Sequence, residues 1–352
     1  MHPRFVEYLR CPHTGERLSL AADAQVVNGR VKSGTLVSQE GGGRFPVVDF
    51  IPRFVSSQNY ARTFGFQWNL HTRTQYDVVS RIPISRSRFF ATTKWPGSLT
   101  GELILEAGCG AGRFTEQAAS TGATLFSFDY SDAVDANYSI NGWRENVLIV
   151  QADIYAMPFQ KDSFGRVFCL GVLQHTPDPE AAFMALAHME KPGGRLAVDV
   201  YRKSFTRYVL QTKYWVRPVT RRIRPEALYL LIVGYVNLMW PLARLIRRMP
   251  RIGRQLNWRL LIADHSDLGL PEEQLKQWCY LDTFDMLSPR YDKPQTLRTV
   301  RRWFQTAGFQ GIDVVYGPQG VEGRGVRATQ QAPGATRPVV PHVARETGKS
   351  CR

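Results

Sequence analysis

The chain has 352 residues, of which 43% are hydrophobic and 21% are charged, and its formal net charge is +15. This length exceeds the needs of one catalytic domain, so accessory modules are expected. The five cysteines are odd in number, scattered and never spaced as C-x-x-C, which argues against a disulfide scaffold and against a structural zinc site. No apolar signal core opens the sequence, so we expect a cytoplasmic protein.

Residues 1–55 contain short, turn-rich β segments. Cys11 within the segment RCPHTG, and later FPVVD at 45–49, resemble the zinc-ribbon domain of the tRNA-methyltransferase activator family. In that family four cysteines hold a metal, whereas here only Cys11 remains and Ser38 lies where the second pair would begin. We therefore expect a degenerate, metal-free ribbon that packs beside the catalytic part of the chain.

Residues 56–96 join this unit to the next one and are unusually aromatic for a linker. Two interpretations fit the pattern. The aromatic side chains form either a helical flap over the pocket of the following domain or plain interdomain core. The residues concerned are Phe64, Phe66, Trp68 and Tyr76.

Residues 97–202 begin with an apolar strand, a glycine-rich turn, a helix and a second apolar strand. Gly108, Gly110 and Gly112 follow the first strand at alternate positions, so the backbone can turn sharply and approach a ligand. Dinucleotide-binding folds space the third glycine as G-x-G-x-x-G, whereas here it comes one residue earlier. This spacing after the acidic Glu106 resembles motif I of the class I S-adenosylmethionine (SAM) methyltransferases.

The resemblance continues downstream and implies a SAM site with roles for particular residues. Asp129 ends the second strand 17 residues after Gly112, where relatives bind the ribose hydroxyls. Asp153 would accept the adenine amino group, and Ile154 would cover the ring. We expect Asp129 to be a ligand and Glu106 to brace the glycine loop. The implied cofactor-binding residues are Glu106, Gly108, Gly110, Gly112, Arg113, Asp129, Ser131, Asp153, Ile154, Leu170, Val172 and Gln174.

The same resemblance implies an α/β fold with a Rossmann-like, seven-stranded sheet. Asp178 and Pro179 predict the start of a helix, as its N-cap and its first helical residue. The core is expected to resume over residues 276–325, where a helix precedes the final strand. The residues that alternate in this strand are Ile312, Val314 and Tyr316. Residues 326–352 alternate small, polar and proline residues and are predicted to be disordered.

Residues 203–275 depart from a minimal methyltransferase and are predicted to form a basic helical insert after strand five. Between residues 201 and 260 the sequence has 14 Lys and Arg residues and one acid, so this segment carries +13 of the net charge of +15. The basic residues flank an apolar run over residues 227–246. A membrane-spanning helix fits this run poorly, because it contains glycine, asparagine, proline and arginine.

Three other interpretations of the insert remain open. An interfacial hairpin would place apolar side chains in an anionic membrane surface through residues 203–260. A lid over the active site would use arginines to hold an acidic or phosphorylated substrate. Nucleic acid is a further, weaker alternative, because aromatic residues between the basic ones could stack on bases. Those aromatic residues are Tyr208, Tyr214, Trp215 and Trp258.

Three residues are candidates for catalysis. His175 follows the fourth strand, where an imidazole could deprotonate an acceptor hydroxyl, although a histidine in such a loop is more often simply held by hydrogen bonds. Asp285 and Tyr291 are expected in a loop before the C-terminal helix, together with Asp282. They could position or deprotonate an acceptor, or they could simply be solvated residues of a helix-capping loop.

Together these features predict a SAM-dependent methyltransferase that acts on a small-molecule or lipid-linked acceptor by O- or C-methylation. No metal cofactor is expected. The alternatives are an RNA-directed methyltransferase and a non-catalytic subunit with the SAM fold that serves as a scaffold. The basic insert is compatible with a peripheral location at the inner face of a membrane.

Overall fold

The computed structural model describes residues 1–204 and 211–329. The strands are β1 (Leu18–Leu20), β2 (Gln25–Val27), β3 (Arg30–Ser38), β4 (Arg44–Val48), β5 (Ile51–Pro52), β6 (Leu103–Ala107), β7 (Thr124–Asp129), β8 (Val147–Gln151), β9 (Phe164–Leu170), β10 (Glu190–Val200), β11 (Phe309–Gly317) and β12 (Gly320–Arg327). The helices are α1 (Arg62–Leu70), α2 (Asp77–Ser80), α3 (Ile84–Thr93), α4 (Arg113–Ala119), α5 (Ala133–Asn141), α6 (Pro179–Ala187), α7 (Lys213–Thr220), α8 (Pro225–Arg247), α9 (Gly253–Arg259), α10 (Glu272–Leu287) and α11 (Leu297–Thr306).

The larger sheet has seven strands in the order β11-β12-β10-β9-β6-β7-β8. Strands β6 to β10 are parallel to one another, and β12 runs antiparallel to both β10 and β11. The central strands are buried along almost their whole length, as expected for parallel strands covered by helices on both faces. The predicted Rossmann-like α/β fold is therefore confirmed. The strand order reverses at β6, where ligands bind in such sheets.

Strands β1 to β5 form a separate antiparallel sheet near the N-terminus, in the order β1-β3-β4-β5 with β2 paired to β3. Its buried apolar side chains belong to the same hydrophobic cluster as those of the large domain. The Phe5 ring, for example, meets the Phe126 ring edge-on at 5.7 Å. This unit therefore stabilises the large domain through a shared core.

The helix after β9 begins as the sequence predicts. The Asp178 side chain accepts hydrogen bonds from the backbone N–H groups of Glu180 and Ala181, and Pro179 occupies the first turn. Such a cap satisfies N–H groups that have no partner within the helix. It fixes the direction in which α6 leaves the preceding loop.

The strand that contains Ile312, Val314 and Tyr316 is not the final one, which corrects the prediction. Strand β11, which contains Val314, is followed by β12, and β12 pairs with β10 inside the sheet. Glycines hide this strand in the sequence, but they have a packing reason: a Cβ on Gly323 would lie 2.6 Å from the Phe304 ring. Strand β12 thus continues past residue 325 to Arg327, and residues 330–352 of the predicted disordered tail lie outside the described part.

The basic insert extends further than residue 275. Helix α10, which ends at Leu287, packs with α8 in a third hydrophobic cluster that includes Val236 and Phe284. Asp282 and Asp285 therefore lie on a helix rather than in a loop, which corrects the prediction. The helix was missed because it buries residues around most of its circumference, so no single apolar stripe marks it.

Candidate active site

A cavity of about 1310 Å³ opens at the carboxyl ends of strands β6, β7 and β9. Four parts of the chain line it: the glycine loop with the strand ends, helix α1 with its neighbours, the basic insert, and the turn between β11 and β12. The insert contributes residues from α7, α9 and α10, among them Lys213 and Trp258. The cavity is therefore enclosed between the methyltransferase-like core and the insert.

Two of the three predicted glycines face this cavity. Gly108 has a φ of +76°, and a Cβ on it would lie 2.3 Å from Val172 Cγ2. Gly110 has a φ of +51°, and its Cβ would approach the Trp68 indole nitrogen at 3.1 Å. Gly112 differs, since it begins α4 and packs against Asn137 rather than lining the cavity. A bulkier residue at any of these positions would displace the loop.

Asp129 lies at the cavity wall and holds the glycine loop. Its Oδ2 accepts from Gly110 N at 2.9 Å, and its Oδ1 accepts from the backbone N (2.8 Å) and the hydroxyl (2.7 Å) of Ser131. An ionised carboxylate has about four acceptor sites, so Asp129 keeps capacity for a ligand hydroxyl. Ser131 is buried and away from the cavity, so its role is to orient Asp129.

Glu106 lies behind the loop and does not line the cavity. Its carboxylate accepts hydrogen bonds from the hydroxyls of Thr115 (2.5 Å) and Ser127 (2.7 Å), and the Asn137 amide donates to both hydroxyls. Burial raises the pKa of Glu106 to about 8, although these hydrogen bonds oppose the shift. This geometry agrees with a bracing role and departs from direct contact with a cofactor.

The other residues predicted from the resemblance divide into two groups. Those that line the cavity are Arg113, Ile154, Leu170, Val172, His175 and Asp285. Gln174 is fully buried beneath the wall, Asp153 lies beside the wall residue Ile154, and Tyr291 lies outside the lining. Burial, together with the neighbouring Arg88, lowers the pKa of Arg113 to about 9. Its guanidinium donates to Gln75 Oε1 at 2.6 Å.

His175 is held in a defined orientation. Its ring lies 5.0 Å from the Phe64 ring and 5.4 Å from the Tyr201 ring, and Nδ1 is 3.0 Å from the backbone oxygen of Tyr291. A carbonyl only accepts hydrogen bonds, so Nδ1 carries the proton and Nε2 of the neutral ring is the acceptor nitrogen. Tyr291 thus contributes its carbonyl to the site rather than its phenol.

Asp285 is the second titratable group at this end of the cavity. The Tyr201 hydroxyl donates to its Oδ2 at 3.2 Å. Burial raises the pKa of Asp285, while the nearby His175 and Lys213 lower it to a smaller extent. The raised pKa makes this carboxyl group a better proton acceptor than an ordinary aspartate.

Helix α1 supplies residues that the sequence interpretation did not single out. Gln67 is 1% exposed and lines the cavity, and neither of its amide atoms has a hydrogen-bond partner among the described residues. An unpaired buried amide is costly unless a ligand satisfies it. No sequence pattern distinguishes Gln67 from the other residues of this aromatic segment, so its place in the cavity could not be predicted.

The aromatic segment contacts both the cavity and the basic insert. Phe64, Trp68 and Tyr76 line the cavity, and the Tyr76 hydroxyl donates to the carbonyl of Ala111 in the glycine loop at 2.7 Å. Phe66 instead packs at 5.7 Å from Phe284 of α10. The helix is therefore both a cavity wall and a joint between core and insert.

Within residues 1–204 and 211–329, no group of three or more His, Cys, Asp or Glu side chains could hold a metal ion. In the N-terminal unit, the Cys11 thiol donates to the carbonyl of Gly42 at 3.4 Å, and the Ser38 hydroxyl bonds to Glu16. These contacts join the two loops directly. The resemblance of this unit to a zinc ribbon stays a prediction.

Comparison with known proteins agrees with this geometry. Residues 105–198 match the family model described as "Methyltransferase domain". This part of the chain is a SAM-dependent methyltransferase domain, and SAM is its cofactor. The chain resembles the ubiquinone biosynthesis O-methyltransferases of Xylella fastidiosa strain M23 and Pseudomonas putida strain F1, each 31% identical over 116 residues. These matches cover 32% of this chain and 47% and 50% of the relatives, so the chain spans about half the length of the curated relatives it matches.

Solved structures with a similar fold include a complex between the Haloferax volcanii Trm112 methyltransferase activator and a methyltransferase, at 13% identity and a TM-score of 0.43. That similarity covers 78% of this chain and 99% of the other. Another is Haemonchus contortus phosphoethanolamine N-methyltransferase 2 in complex with SAM, at 16% identity and a TM-score of 0.40. It covers 74% of this chain and 44% of the other.

The residues of the site fit SAM. Gly108 and Gly110 line the cavity without side chains, so their backbone is open to a ligand. Asp129 has spare acceptor capacity at the end of β7, and the unpaired amide of Gln67 lies in the same cavity. Polar groups of this kind are satisfied when a polar cofactor occupies the cavity.

Proposed function

We propose that this protein transfers the methyl group of SAM to a hydroxyl group of a small-molecule acceptor. The observation that carries the proposal is that His175, with its tautomer fixed by the Tyr291 carbonyl, lies in the same cavity as Asp129 and the glycine loop. A hydroxyl acceptor needs a base, and this ring presents its acceptor nitrogen as Nε2. The similarity to curated O-methyltransferases supports the same class of acceptor.

When bound, SAM supplies an electrophilic methyl group, and Asp129 with the glycine loop would hold it. The chain itself contributes mainly alignment, because holding an acceptor at near-attack distance can supply about 7 to 11 kcal/mol. The aromatic rings of Phe64 and Tyr201 flank His175 and provide flat apolar walls for such an acceptor. A hydroxylated aromatic ring matches these walls.

Two groups take part in proton transfer under this proposal. His175 Nε2 accepts the acceptor proton, and Tyr291 acts as a positioning residue through its carbonyl. Asp285 lines the same cavity and interacts with His175 through its charge, so its carboxylate would stabilise the imidazolium, and its raised pKa favours its accepting the proton onward. The adjacent Tyr201 hydroxyl orients this carboxyl group.

The first test is calorimetric titration of the full chain with SAM, S-adenosylhomocysteine and NAD. Asp129→Ala should lose SAM binding by at least about 100-fold, because a charge-assisted contact in a buried site disappears. Asp162→Ala, an acid in an exposed turn, is the matched control and should bind normally. Normal SAM affinity in Asp129→Ala, or preferential binding of NAD, would refute the site assignment.

The second test addresses the acceptor. The protein is incubated with SAM and a panel of hydroxylated aromatic compounds, with and without isoprenoid tails, and S-adenosylhomocysteine release is measured. Turnover that requires a free hydroxyl supports the proposal. Turnover only with amines, or only when RNA is supplied as the acceptor, would contradict the proposal.

A further inference from the structure

The outer face of α8 is apolar and exposed. Its inner face packs on the domain through Ile232 and Val236, whereas Leu230, Leu231 and Leu238 on the opposite side are 71%, 61% and 78% exposed. Further large apolar side chains are exposed along α8 and beside it: Trp215, Val219, Leu242, Leu245, Met249 and Ile252. A surface helix normally presents polar residues to water, and a large exposed apolar patch marks an interaction site.

Helix α8 is long and apolar enough, by length and composition, to cross a membrane. Its inner face, however, is tied to the domain along its length. The Tyr229 hydroxyl lies 2.9 Å from His71 Nε2, the Tyr280 hydroxyl donates to Asn237 at 2.7 Å, and Trp240 donates to Glu272 at 2.9 Å. A spanning orientation would break these contacts. The helix therefore lies along the surface, and only its outer face is available to a partner.

Two clusters of exposed arginines stand at the ends of this apolar face. Within the described part of the chain, their side chains have no hydrogen-bond or ion-pair partner. The cluster before α8 is Arg221, Arg222 and Arg224, and the cluster after it is Arg248 and Arg251. Other basic residues of the insert are engaged internally, such as Lys213 with Asp292 and Arg247 with Asp264.

The arginine cluster before α8 does not stabilise that helix. Positive charges near a helix N-terminus oppose the macrodipole, so Arg221, Arg222 and Arg224 are placed unfavourably for α8 itself. A partner with negative charge accounts for them. A second copy of the chain accounts for them poorly, because a two-fold contact along α8 would bring the arginine clusters of both copies together.

We propose that the outer face of α8, together with these two arginine clusters, docks on the surface of an anionic lipid bilayer. The helix lies in the plane of the membrane, with its leucines at the boundary between headgroups and acyl chains and the arginines on the lipid phosphates. The same insert lines the catalytic cavity through Lys213 and Trp258. If the proposed function holds, this arrangement brings the cavity to membrane-bound acceptors. The docking itself does not depend on that function.

The test is flotation of the full chain with vesicles on a density gradient. One set contains about three parts phosphatidylcholine to one part phosphatidylglycerol, and the other contains phosphatidylcholine alone. We expect the protein to float with the anionic vesicles and to remain mostly unbound with the neutral ones. High salt should weaken the binding. Failure to float with anionic vesicles would overturn the proposal.

Two variants and two matched controls locate the surface. The double variant Leu231→Glu with Leu238→Glu should abolish flotation. The triple variant Arg221→Ser, Arg222→Ser and Arg224→Ser should weaken binding roughly 100-fold, since each basic residue near such a surface contributes about fivefold. Val78→Glu and Arg298→Ser change equally exposed residues elsewhere and should float normally.

Each variant is also titrated with SAM. Normal SAM affinity in the non-floating variants shows that the domain is folded and separates a failure of docking from a failure of the proposed function. If the leucine variants float like the unmodified protein, or if they convert a dimer into monomers without affecting flotation, the proposal is wrong.

Discussion

The methyltransferase core and the basic insert treat their polar and apolar groups in opposite ways. Around the glycine loop of the core, the fully buried Glu106 accepts hydrogen bonds from Thr115 and Ser127, and the Asp129 carboxylate accepts one from Gly110 N. In the insert, leucines of α8 face water and several arginines have no partner among the described residues. The hydrogen bonds of this network are therefore made within the chain itself. The insert, by contrast, leaves apolar and positively charged side chains exposed, which are available to a binding partner.

The largest expected effect is at His175, where core and insert meet. In His175→Asn the amide can still donate to the Tyr291 carbonyl, but the acceptor nitrogen corresponding to Nε2 is lost. We expect kcat to fall about 10² to 10⁴-fold, the usual contribution of a general base, with SAM affinity unchanged. S-adenosylhomocysteine release and calorimetry measure the two effects. The exposed His188→Asn is the control, and an unchanged kcat in His175→Asn would make His175 purely structural.

The next effect tests how tightly the core is packed. In Gly112→Ala the added Cβ would lie 2.1 Å from Asn137 Oδ1, and the φ of +91° is strained for any residue with a side chain. We expect the free energy of unfolding to fall by about 3 kcal/mol, measured by urea denaturation. A decrease in the free energy of unfolding of less than about 1 kcal/mol would show that the side chains around Asn137 can move to accommodate the added Cβ.

The joint between the two regions should respond to pH. His71 of the segment after α1 contacts Tyr229 of α8, and burial lowers its pKa to about 4 from a usual 6.5. Between these pH values the unfolded chain binds a proton that the folded chain does not, so stability falls as the pH falls. We expect His71 to account for a loss on the order of 2 kcal/mol between pH 7 and pH 4.5. In His71→Gln the loss over the same range should be smaller, and an identical loss would contradict the assignment.

A smaller effect is expected at Gln67. Its amide is buried without a partner among the described residues, so Gln67→Leu should raise the free energy of unfolding of the ligand-free protein by about 1 kcal/mol. SAM affinity should fall about tenfold, because the leucine cannot satisfy the polar cofactor. Gln117→Leu, a buried change outside the cavity, should leave SAM affinity unaltered. Unchanged SAM affinity in Gln67→Leu would place Gln67 outside the cofactor site.

The core site could be foreseen from the sequence because its chemistry requires particular residue types at fixed places. A positive φ beside a ligand needs glycine, as at Gly108, and a capped helix needs an acceptor such as Asp178. What could not be foreseen depends on tertiary packing. Strand β12 is rich in glycine because the Phe304 ring occupies the space of side chains, and α10 shows no stripe because it is buried nearly all round.

The sequence also could not show which residues of the cofactor site line the cavity and which only support those that do. Glu106, Gly112 and Ser131 lie within the resemblance to motif I and its neighbours, yet their contacts are with the supporting network and not with the cavity. Gln67 lies outside any motif and faces the cavity. A family pattern records which residues are required, and the packing decides whether each one touches the ligand or holds a residue that does.

The smallest expected effect is at Gly234 on the outer face of α8. The space around this glycine is open, whereas the space around Gly112 is filled. A Cβ there would meet nothing within 4 Å, and glycine inside a helix costs about 0.5 to 1 kcal/mol relative to alanine. Gly234→Ala should therefore raise the free energy of unfolding by about that amount, and vesicle flotation should be retained. A decrease in stability would mean that another part of the molecule covers this face in solution. The outer face of α8 would then be packed like the surroundings of Gly112, and the contrast between core and insert would not hold there.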